Sequence, residues 1–264
     1  MSNSAQAKKV SSGKESPLFV KSLEKAMNVL LNFDRGDAFQ TLHQIAENNH
    51  IDKSTAQRLS YTLRELGFLE QCSVTRRYKI GRKALDLTFN YLRNDPLVER
   101  ATPILIDLAR TTNERVDLSI MDGTDIVYVA RFQSKRQTFA TTLIGRRVPA
   151  FCTAGGRSML AQMNDDQVRE FIGRSTLTPL TQFTIIEPEA ILQRVSLARR
   201  RGYAVNVEEC LPGEIVVSAA VTADGGIPVG AVHAAGSMSE WAPDEFEKKI
   251  APNVVAAARA LSRA

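Results

Sequence analysis

A short polar turn at residues 50–53 separates two stretches in which apolar residues recur every three or four positions. That spacing is typical of helices with one buried face. Before the turn, Thr41 and Gln44 have the spacing of a capping box, and after it a helix is predicted to begin at Ser54 and to end at Gly67. Two helices joined by so short a turn predict a helix-turn-helix unit, which limits the first third of the chain to a small set of folds.

The segments on either side of this pair complete the pattern. An amphipathic helix is predicted from Ser22 to about Phe33, and two short strands are predicted at residues 68–70 and 77–80, around a polar tip. Three helices followed by a basic hairpin are the element order of a winged helix-turn-helix, whose third helix enters the major groove of DNA. The alternative is a three-helix module that binds another protein. We place this predicted domain at residues 18–80.

The distribution of charge favours DNA binding. Residues 1–93 contain 15 Lys and Arg against 9 Asp and Glu, whereas residues 94–264 contain 19 against 20. Because the whole excess of positive charge lies in the first third, nucleic acid is a more natural partner than an acidic membrane surface, which is the alternative. Residues 1–17 offer almost nothing that a core could bury, so they are predicted to form a disordered arm.

The start of the third helix and the tip of the hairpin supply the groups that would contact double-stranded DNA. Cationic, amide and hydroxyl side chains there can meet phosphates and base edges. The predicted DNA-contacting residues are Lys53, Ser54, Thr55, Gln57, Arg58, Arg76 and Arg77.

The rest of the chain alternates helical and strand patterns. Residues 81–98 are predicted to form a linker helix whose apolar side chains suit contact with a second copy of the chain. Residues 99–264 are predicted to form an α+β domain, with a helix at 103–110, hairpin strands at 116–120 and 126–130, helices at 157–163 and 190–201, strands at 215–221 and 229–235, and a final helix.

Composition argues against several classes of protein. No apolar stretch is long enough to span a bilayer and the first residues lack the apolar centre of a signal peptide, so a cytoplasmic location without a membrane partner is expected. The three cysteines and three histidines are too widely spaced for a disulfide framework or a metal site, and no cofactor is predicted. Cys152 and His233 are a conceivable nucleophile and base, but no spacing places them together.

Residues 149–158 combine two glycines with small residues directly before a predicted helix. Backbone amides at a helix N-terminus attract anions, so this segment is a candidate site for a small carboxylate. The spacing of a phosphate-binding P-loop is absent. A glycine turn needed only for packing is the alternative. Likewise His233, in an otherwise small and apolar strand, is either a core histidine or a ligand contact.

The sequence resembles the IclR family of transcriptional regulators over residues 18–262. The resemblance rests on SLEKA at residues 22–26, KSTAQRL at 53–59, YKIG at 78–81 and RGYAV at 201–205. It implies a winged helix-turn-helix, a linker helix and a GAF-like effector-binding domain, assembled as homodimers or homotetramers. It also implies that the chain has no enzymatic activity.

Two further segments, residues 125–131 and 149–153, resemble the branch of the family that regulates aromatic-acid catabolism. That branch commonly has a Gly-Leu-Arg-Ser motif, whereas here Gly213 is followed by Glu214. An arginine that would hold a carboxylate at this point is therefore missing.

Family members that bind glyoxylate or pyruvate imply where an effector would lie. Their loop amides correspond to Ala154 and Gly155, and their four ligand-binding side chains correspond to positions that carry other residue types here. The resemblance thus implies a pocket at the same positions for a different molecule. The predicted effector-binding residues are Thr153, Ala154, Gly155, Asn206, Val216, His233 and Ala235.

These observations predict a sequence-specific DNA-binding regulator, either a repressor or an activator, that is controlled by a small organic acid of a catabolic pathway, with aromatic acids among the candidates. The alternative is an enzyme that processes a small acid and carries an N-terminal interaction domain. The sequence supplies no paired carboxylates, metal ligands or nucleophile constellation in support of that alternative.

Overall fold

The computed structural model describes residues 16–33, 38–133 and 144–262. The chain divides into two compact units, Met1–Asn90 and Tyr91–Ala264. Most of the predicted arm at residues 1–17 lies outside the described residues. Within the described ranges, no helix is long and apolar enough to cross a membrane.

The first unit contains three helices and a two-stranded antiparallel hairpin, in the predicted order. The capping box of the second helix is confirmed: the Thr41 hydroxyl accepts from the Gln44 amide, and the Gln44 side chain accepts from the Thr41 amide. The elements are α1 (Lys21–Leu31), α2 (Leu42–Asn48), α3 (Lys53–Glu65), β1 (Leu69–Gln71) and β2 (Tyr78–Ile80), and the small core consists of Val29, Ile45, Ala46, Ala56, Leu63, Leu69 and Tyr78.

The helix that follows, α4 (Ala84–Asn94), crosses the division between the two units and is shorter than the predicted linker at residues 81–98. It ends where Asp95 caps a new helix, α5 (Pro96–Thr112), by accepting hydrogen bonds from the amides of Leu97 and Val98. The predicted helix at residues 103–110 therefore begins earlier. Proline at the first helical position lacks only an N–H that would have no partner there, so Pro96 starts a helix rather than ending one.

The second unit is built on a six-stranded antiparallel sheet with the strand order β5-β4-β3-β8-β7-β6. The four predicted strands are present and extend further than expected. The strands are β3 (Arg115–Asp122), β4 (Asp125–Phe132), β5 (Arg147–Pro149), β6 (Ala204–Val207), β7 (Glu214–Thr222) and β8 (Pro228–Ser237), and the remaining helices are α6 (Ala154–Leu160), α7 (Asp165–Arg174), α8 (Pro188–Arg201) and α9 (Pro243–Leu261).

Helices cover both faces of this sheet. α5 and α9 pack on one face through an apolar core that includes Leu105, Val217 and Phe246. α6 packs on the other face, and α7 and α8 pack behind it around Phe151 and Val195. The described strand residues that pack against α5 and α9 are apolar, so a polar site on the sheet is expected on the face that α6 covers.

Three features of the second unit differ from the sequence-based expectations. α6 begins at Ala154 rather than at Arg157, because Thr153 is its N-cap and its hydroxyl accepts from the Gly156 amide at 3.0 Å. The two glycines of the candidate loop are therefore inside the first helical turn. α7, β5 and β6 were not predicted as elements; β5 and β6 are only three and four residues long, which leaves little periodicity to detect.

Candidate functional site

The start of α3 is fixed by its N-cap, Asp52. Its carboxylate accepts from the Thr55 amide at 2.8 Å and from the Thr55 hydroxyl at 2.6 Å, and these two hydrogen bonds lower the pKa of Asp52. The Thr55 hydroxyl, one of the predicted DNA contacts, is thus engaged in the cap. A helix held this firmly at its first turn presents the neighbouring side chains in fixed directions.

The other predicted contacts on α3 lie on its solvent face. Lys53, Ser54, Gln57 and Arg58 are exposed, while Ala56 on the opposite side is buried in the core of the first unit. The structure thus brings four of the five predicted α3 residues onto one accessible surface.

The hairpin tip is closed by backbone hydrogen bonds. The Arg76 amide donates to the Cys72 carbonyl at 2.9 Å, and the Cys72 amide donates to the Arg77 carbonyl at 2.9 Å. Arg76 adopts a left-handed conformation with φ of 59°, which lets the chain reverse within these few residues. Both arginine side chains are exposed.

Ion pairing divides the cations of the first unit into two groups. Arg64 pairs with Glu65, and Lys79 and Arg82 both pair with Glu70. In contrast, the predicted DNA contacts include four cations with no acidic partner in the part of the chain that the structure describes, and on α1 Lys21 and Lys25 share this property. These four cations are Lys53, Arg58, Arg76 and Arg77.

In the second unit, polar side chains gather on the sheet face that α6 covers. Residues alternate between faces along a strand, so Arg115, Asp117 and Ser119 of β3 point to the α6 side, while Val116 and Leu118 enter the apolar core under α5 and α9. The polar–apolar alternation of residues 115–119 would have revealed this row from sequence.

His233 of β8 lies at the centre of that face. Its Nε2 hydrogen-bonds the Ser119 hydroxyl at 2.7 Å, and its ring centroid is 5.5 Å from that of Tyr128. Burial, aided by the charge of Arg115, lowers the pKa of His233 to about 3. The imidazole is therefore neutral at physiological pH and can exchange hydrogen bonds but cannot offer a positive charge to a ligand.

The ring of His233 also packs directly on α6. A Cβ added to Gly155 would collide with the imidazole, so only glycine fits at that position beside this histidine. The small carboxylate expected at the amides of Ala154 and Gly155 thus has a histidine side chain as its immediate neighbour.

The remaining predicted positions form a row across three strands. Asn206 of β6 pairs with Val216 of β7, which pairs with Ala235 of β8. Asn206 is committed to the protein itself, because its side-chain amide donates to the Cys152 carbonyl and its oxygen accepts from the Glu209 amide at 3.3 Å. The structure thus brings the predicted effector residues together on one sheet face and the adjoining turn of α6.

A buried ionic cluster, Arg115, Asp117, Arg131 and Glu214, occupies the same face and was not predicted. Arg115 Nε lies 2.9 Å from Asp117 Oδ2, Arg115 Nη2 lies 2.7 Å from Glu214 Oε1, and Arg131 Nε lies 3.9 Å from Asp117 Oδ1. Burial raises the pKa of both carboxyls, and the guanidinium of Arg115 opposes that rise. The two contacts of Arg115 thus offset part of the cost of burying these carboxyls.

A second buried ion pair holds α6 in place. Arg157 forms a bidentate contact with Glu209, at 2.5 and 2.7 Å, and its Nε donates to the Phe151 carbonyl. Glu209 lies in the turn between β6 and β7, so the pair joins this turn to the helix.

The geometry does not assemble a nucleophile. Cys152 Sγ contacts the Pro149 carbonyl and lies 3.9 Å from Cys210 Sγ, whereas His233 Nε2 is bonded to Ser119. Across the described residues, no group of three or more His, Cys, Asp or Glu side chains is arranged to hold a metal ion.

Family models match both units. The model described as the IclR helix-turn-helix domain matches residues 22–73, and the model described as the bacterial transcriptional regulator IclR C-terminal domain matches residues 89–263.

Curated relatives match along nearly the whole chain. The Pca regulon regulatory protein of Pseudomonas putida is 28% identical over 256 residues, covering 97% of this chain and 87% of the relative. The glycerol operon regulatory protein of Streptomyces coelicolor is 32% identical over 248 residues, covering 93% of this chain and 94% of the relative.

A solved structure shares the fold. It is an IclR homologue from Microbacterium hydrocarbonoxydans in complex with 4-hydroxybenzoate, with a TM-score of 0.75 and 18% sequence identity, covering 91% of this chain and 97% of that one.

Proposed function

This chain belongs to the IclR family and is a DNA-binding transcriptional regulator rather than an enzyme, and from that premise we propose which of its surfaces bind the operator and the effector. We place operator contact on α3 and the hairpin tip, and effector contact on the sheet face around His233. The regulator would act in the cytoplasm on an operon of catabolism, as the names of the Pca and glycerol relatives indicate for those proteins.

One observation carries the operator assignment. Within α3 and the hairpin, the cations at the helix start and at the tip have no acidic partner among the described residues, whereas Arg64 and Lys79 are paired. Phosphate binding needs cations that are free to exchange their counterions, so this division favours contact at these two places. Gln57 and Ser54, exposed beside Arg58, would contact base edges.

Association of two or more copies belongs to the same proposal. α4 exposes Leu85, Leu87 and Tyr91. Apolar side chains clustered on one helix are typical of protein contacts, and a second copy would place two recognition helices on a palindromic operator. We therefore expect a homodimer or a homotetramer.

The effector assignment rests on the buried polar face of the sheet. Val216 and Ala235 are small, Tyr128 and Cys210 beside them are only partly buried, and charged groups flank them. A small organic acid fits such a surface, with the backbone amides of Ala154 and Gly155 for its carboxylate and an aromatic neighbour for its body. The 4-hydroxybenzoate bound by the Microbacterium homologue makes aromatic acids reasonable first candidates.

The operator assignment is tested with Arg58→Ala and its matched control Arg64→Ala, which removes the same charge from the same helix at an ion-paired position. Fluorescence anisotropy with the intergenic DNA next to the gene, at fixed salt and with competitor DNA, should show specific affinity lowered by about 1–3 kcal/mol for R58A and little changed for R64A. Equal losses in the two variants would contradict the assignment of Arg58.

A further inference from the structure

Two carboxylate oxygens of the ionic cluster of Arg115, Asp117, Arg131 and Glu214 accept no hydrogen bond, namely Asp117 Oδ1 and Glu214 Oε1, but Glu214 Oε1 lies 2.7 Å from the guanidinium of Arg115. Arg115 occupies Asp117 Oδ2 at 2.9 Å, but Asp117 Oδ1 accepts no hydrogen bond, and the nearest cationic atom described, Arg131 Nε, is 3.9 Å away. That separation is too long for a hydrogen bond. Asp117 is 1% exposed, so bulk water does not supply the missing donor.

A buried carboxylate oxygen without a donor is uncommon in a folded protein, and it calls for an explanation by a bound water or a ligand. The position of Asp117 favours a ligand. In the sheet register Asp117 stands opposite His233, and the next residue of β8 on that face is Ala235, with Val216 beyond it. The unmet acceptor thus borders the surface that we assign to the effector.

The neighbouring groups show what such a ligand must carry. Arg115 is already shared between Asp117 and Glu214, and His233 Nε2 is bonded to Ser119. A carboxylate alone would bring only acceptors to this face and leave Asp117 Oδ1 without a donor.

We propose, on the premise of the effector site above, that the effector is a hydroxy acid and that Asp117 Oδ1 accepts a hydrogen bond from its hydroxyl group. Asp117 is then a specificity-determining residue. An acid of the same shape without the hydroxyl leaves the carboxylate oxygen buried and unpaired, and sites built to bind a hydroxyl discriminate strongly against analogues that lack it.

The first test uses the full-length wild-type protein and isothermal titration calorimetry with matched acids. The probes are 4-hydroxybenzoate and 3,4-dihydroxybenzoate, each compared with benzoate and with the fluoro analogue, in which fluorine replaces a hydroxyl at similar size but has no proton to donate. The aliphatic pair is lactate and propanoate. We expect at least one hydroxy acid to bind at least tenfold more tightly than its hydrogen and fluorine counterparts.

The second test asks whether Asp117 is the residue that distinguishes hydroxylated from unhydroxylated acids. Asp117→Ala and its matched control Glu214→Ala each remove one carboxylate that contacts Arg115. D117A should bring the ratio of hydroxylated to unhydroxylated affinity close to one, while E214A weakens both acids in the same proportion and keeps the ratio. Melting curves establish that each variant is folded; should D117A not fold, the wild-type ratios decide.

The outcomes separate this inference from the proposed function. Hydroxylated and unhydroxylated acids binding with equal affinity would overturn the role of Asp117 and leave the acid effector in place. A ratio that survives D117A would overturn it as well. No binding and no effect on operator affinity by any acid would overturn the proposed effector class, and this inference with it.

Discussion

The two candidate sites use charge in opposite ways. At the start of α3 and the hairpin tip, Arg58 and Arg76 are exposed and have no acidic partner among the described residues, whereas on the sheet face of the second unit Arg115 and Asp117 are buried against each other. An exposed cation keeps its hydration on folding and remains available to phosphate, but a buried charge must be compensated inside the protein. Affinity at the first site should therefore follow ionic strength, and affinity at the second should follow the fit of one ligand.

The largest expected effect comes from breaking a buried pair. Arg157→Ala leaves the Glu209 carboxylate buried without its bidentate partner and should lower the free energy of unfolding by about 3–5 kcal/mol in urea titrations. The control is Arg169→Ala, which breaks an exposed pair with Glu189 and should cost about 1 kcal/mol or less. Similar losses in both variants would remove the contrast between buried and exposed charge.

A smaller effect should appear in the pH dependence of stability. The unfolded chain protonates His233 near pH 6.5, but the folded protein does so only near pH 3, so the unfolded state binds the extra proton between these values and stability falls as the pH falls. The histidine should account for a loss of about 2 kcal/mol between pH 7 and pH 5.

Unfolding of the wild type and of His233→Asn in urea at both pH values measures this contribution. H233N should lose less stability than the wild type on acidification. Ser119→Ala, which removes the hydrogen bond to the ring but keeps a buried imidazole, serves as the control and should retain the wild-type pH dependence. Identical pH dependence in H233N and the wild type would contradict a neutral, buried histidine.

The smallest expected effect is on the salt dependence of DNA affinity, which tests whether the exposed cations contact phosphates. Arg76→Ala removes one cation at the hairpin tip and should reduce the slope of log affinity for DNA against log salt by about one. Between 50 and 200 mM salt the variant should therefore lose about fourfold less affinity than the wild type. Arg169→Ala, in the second unit, lowers the net charge equally and should keep the wild-type slope. A reduced slope in R169A would mean that net charge rather than contact sets the salt dependence.

Helices and strands whose signals lie within a few consecutive residues were predictable from the sequence. The capping box of Thr41 and Gln44 needs only a spacing of three, and its two hydrogen bonds are present. The order of three helices and a hairpin followed from apolar periodicity, and the predicted cations of α3 and of the hairpin tip are exposed. The prediction was wrong where a single capping residue sets the start of a helix. Asp95 caps a helix that begins at Pro96, and Thr153 caps one that begins at Ala154.

The effector face was predictable only in part, because its contacts join distant strands. Ser119 and His233 are 114 residues apart, and only the register of β3 with β8 shows that they meet. Resemblance to the family drew attention to His233, which the structure places at the centre of this face, but it gave no reason to consider Asp117 or Glu214. Their shared partner, Arg115, could have been noticed from the alternation in β3, whereas its pairing with Glu214 depends on the assembled sheet.

Because Gly155 contacts the ring of His233, the substitutions that either position tolerates during evolution depend on the residue at the other. A side chain at position 155 would be harmful while the histidine is present and harmless once a small residue replaces it. Substitutions here must then occur in a fixed order, with the change in β8 before the change in α6. Lineages that keep the histidine should retain glycine at 155, and variation at 155 should be found only among descendants that have lost the imidazole.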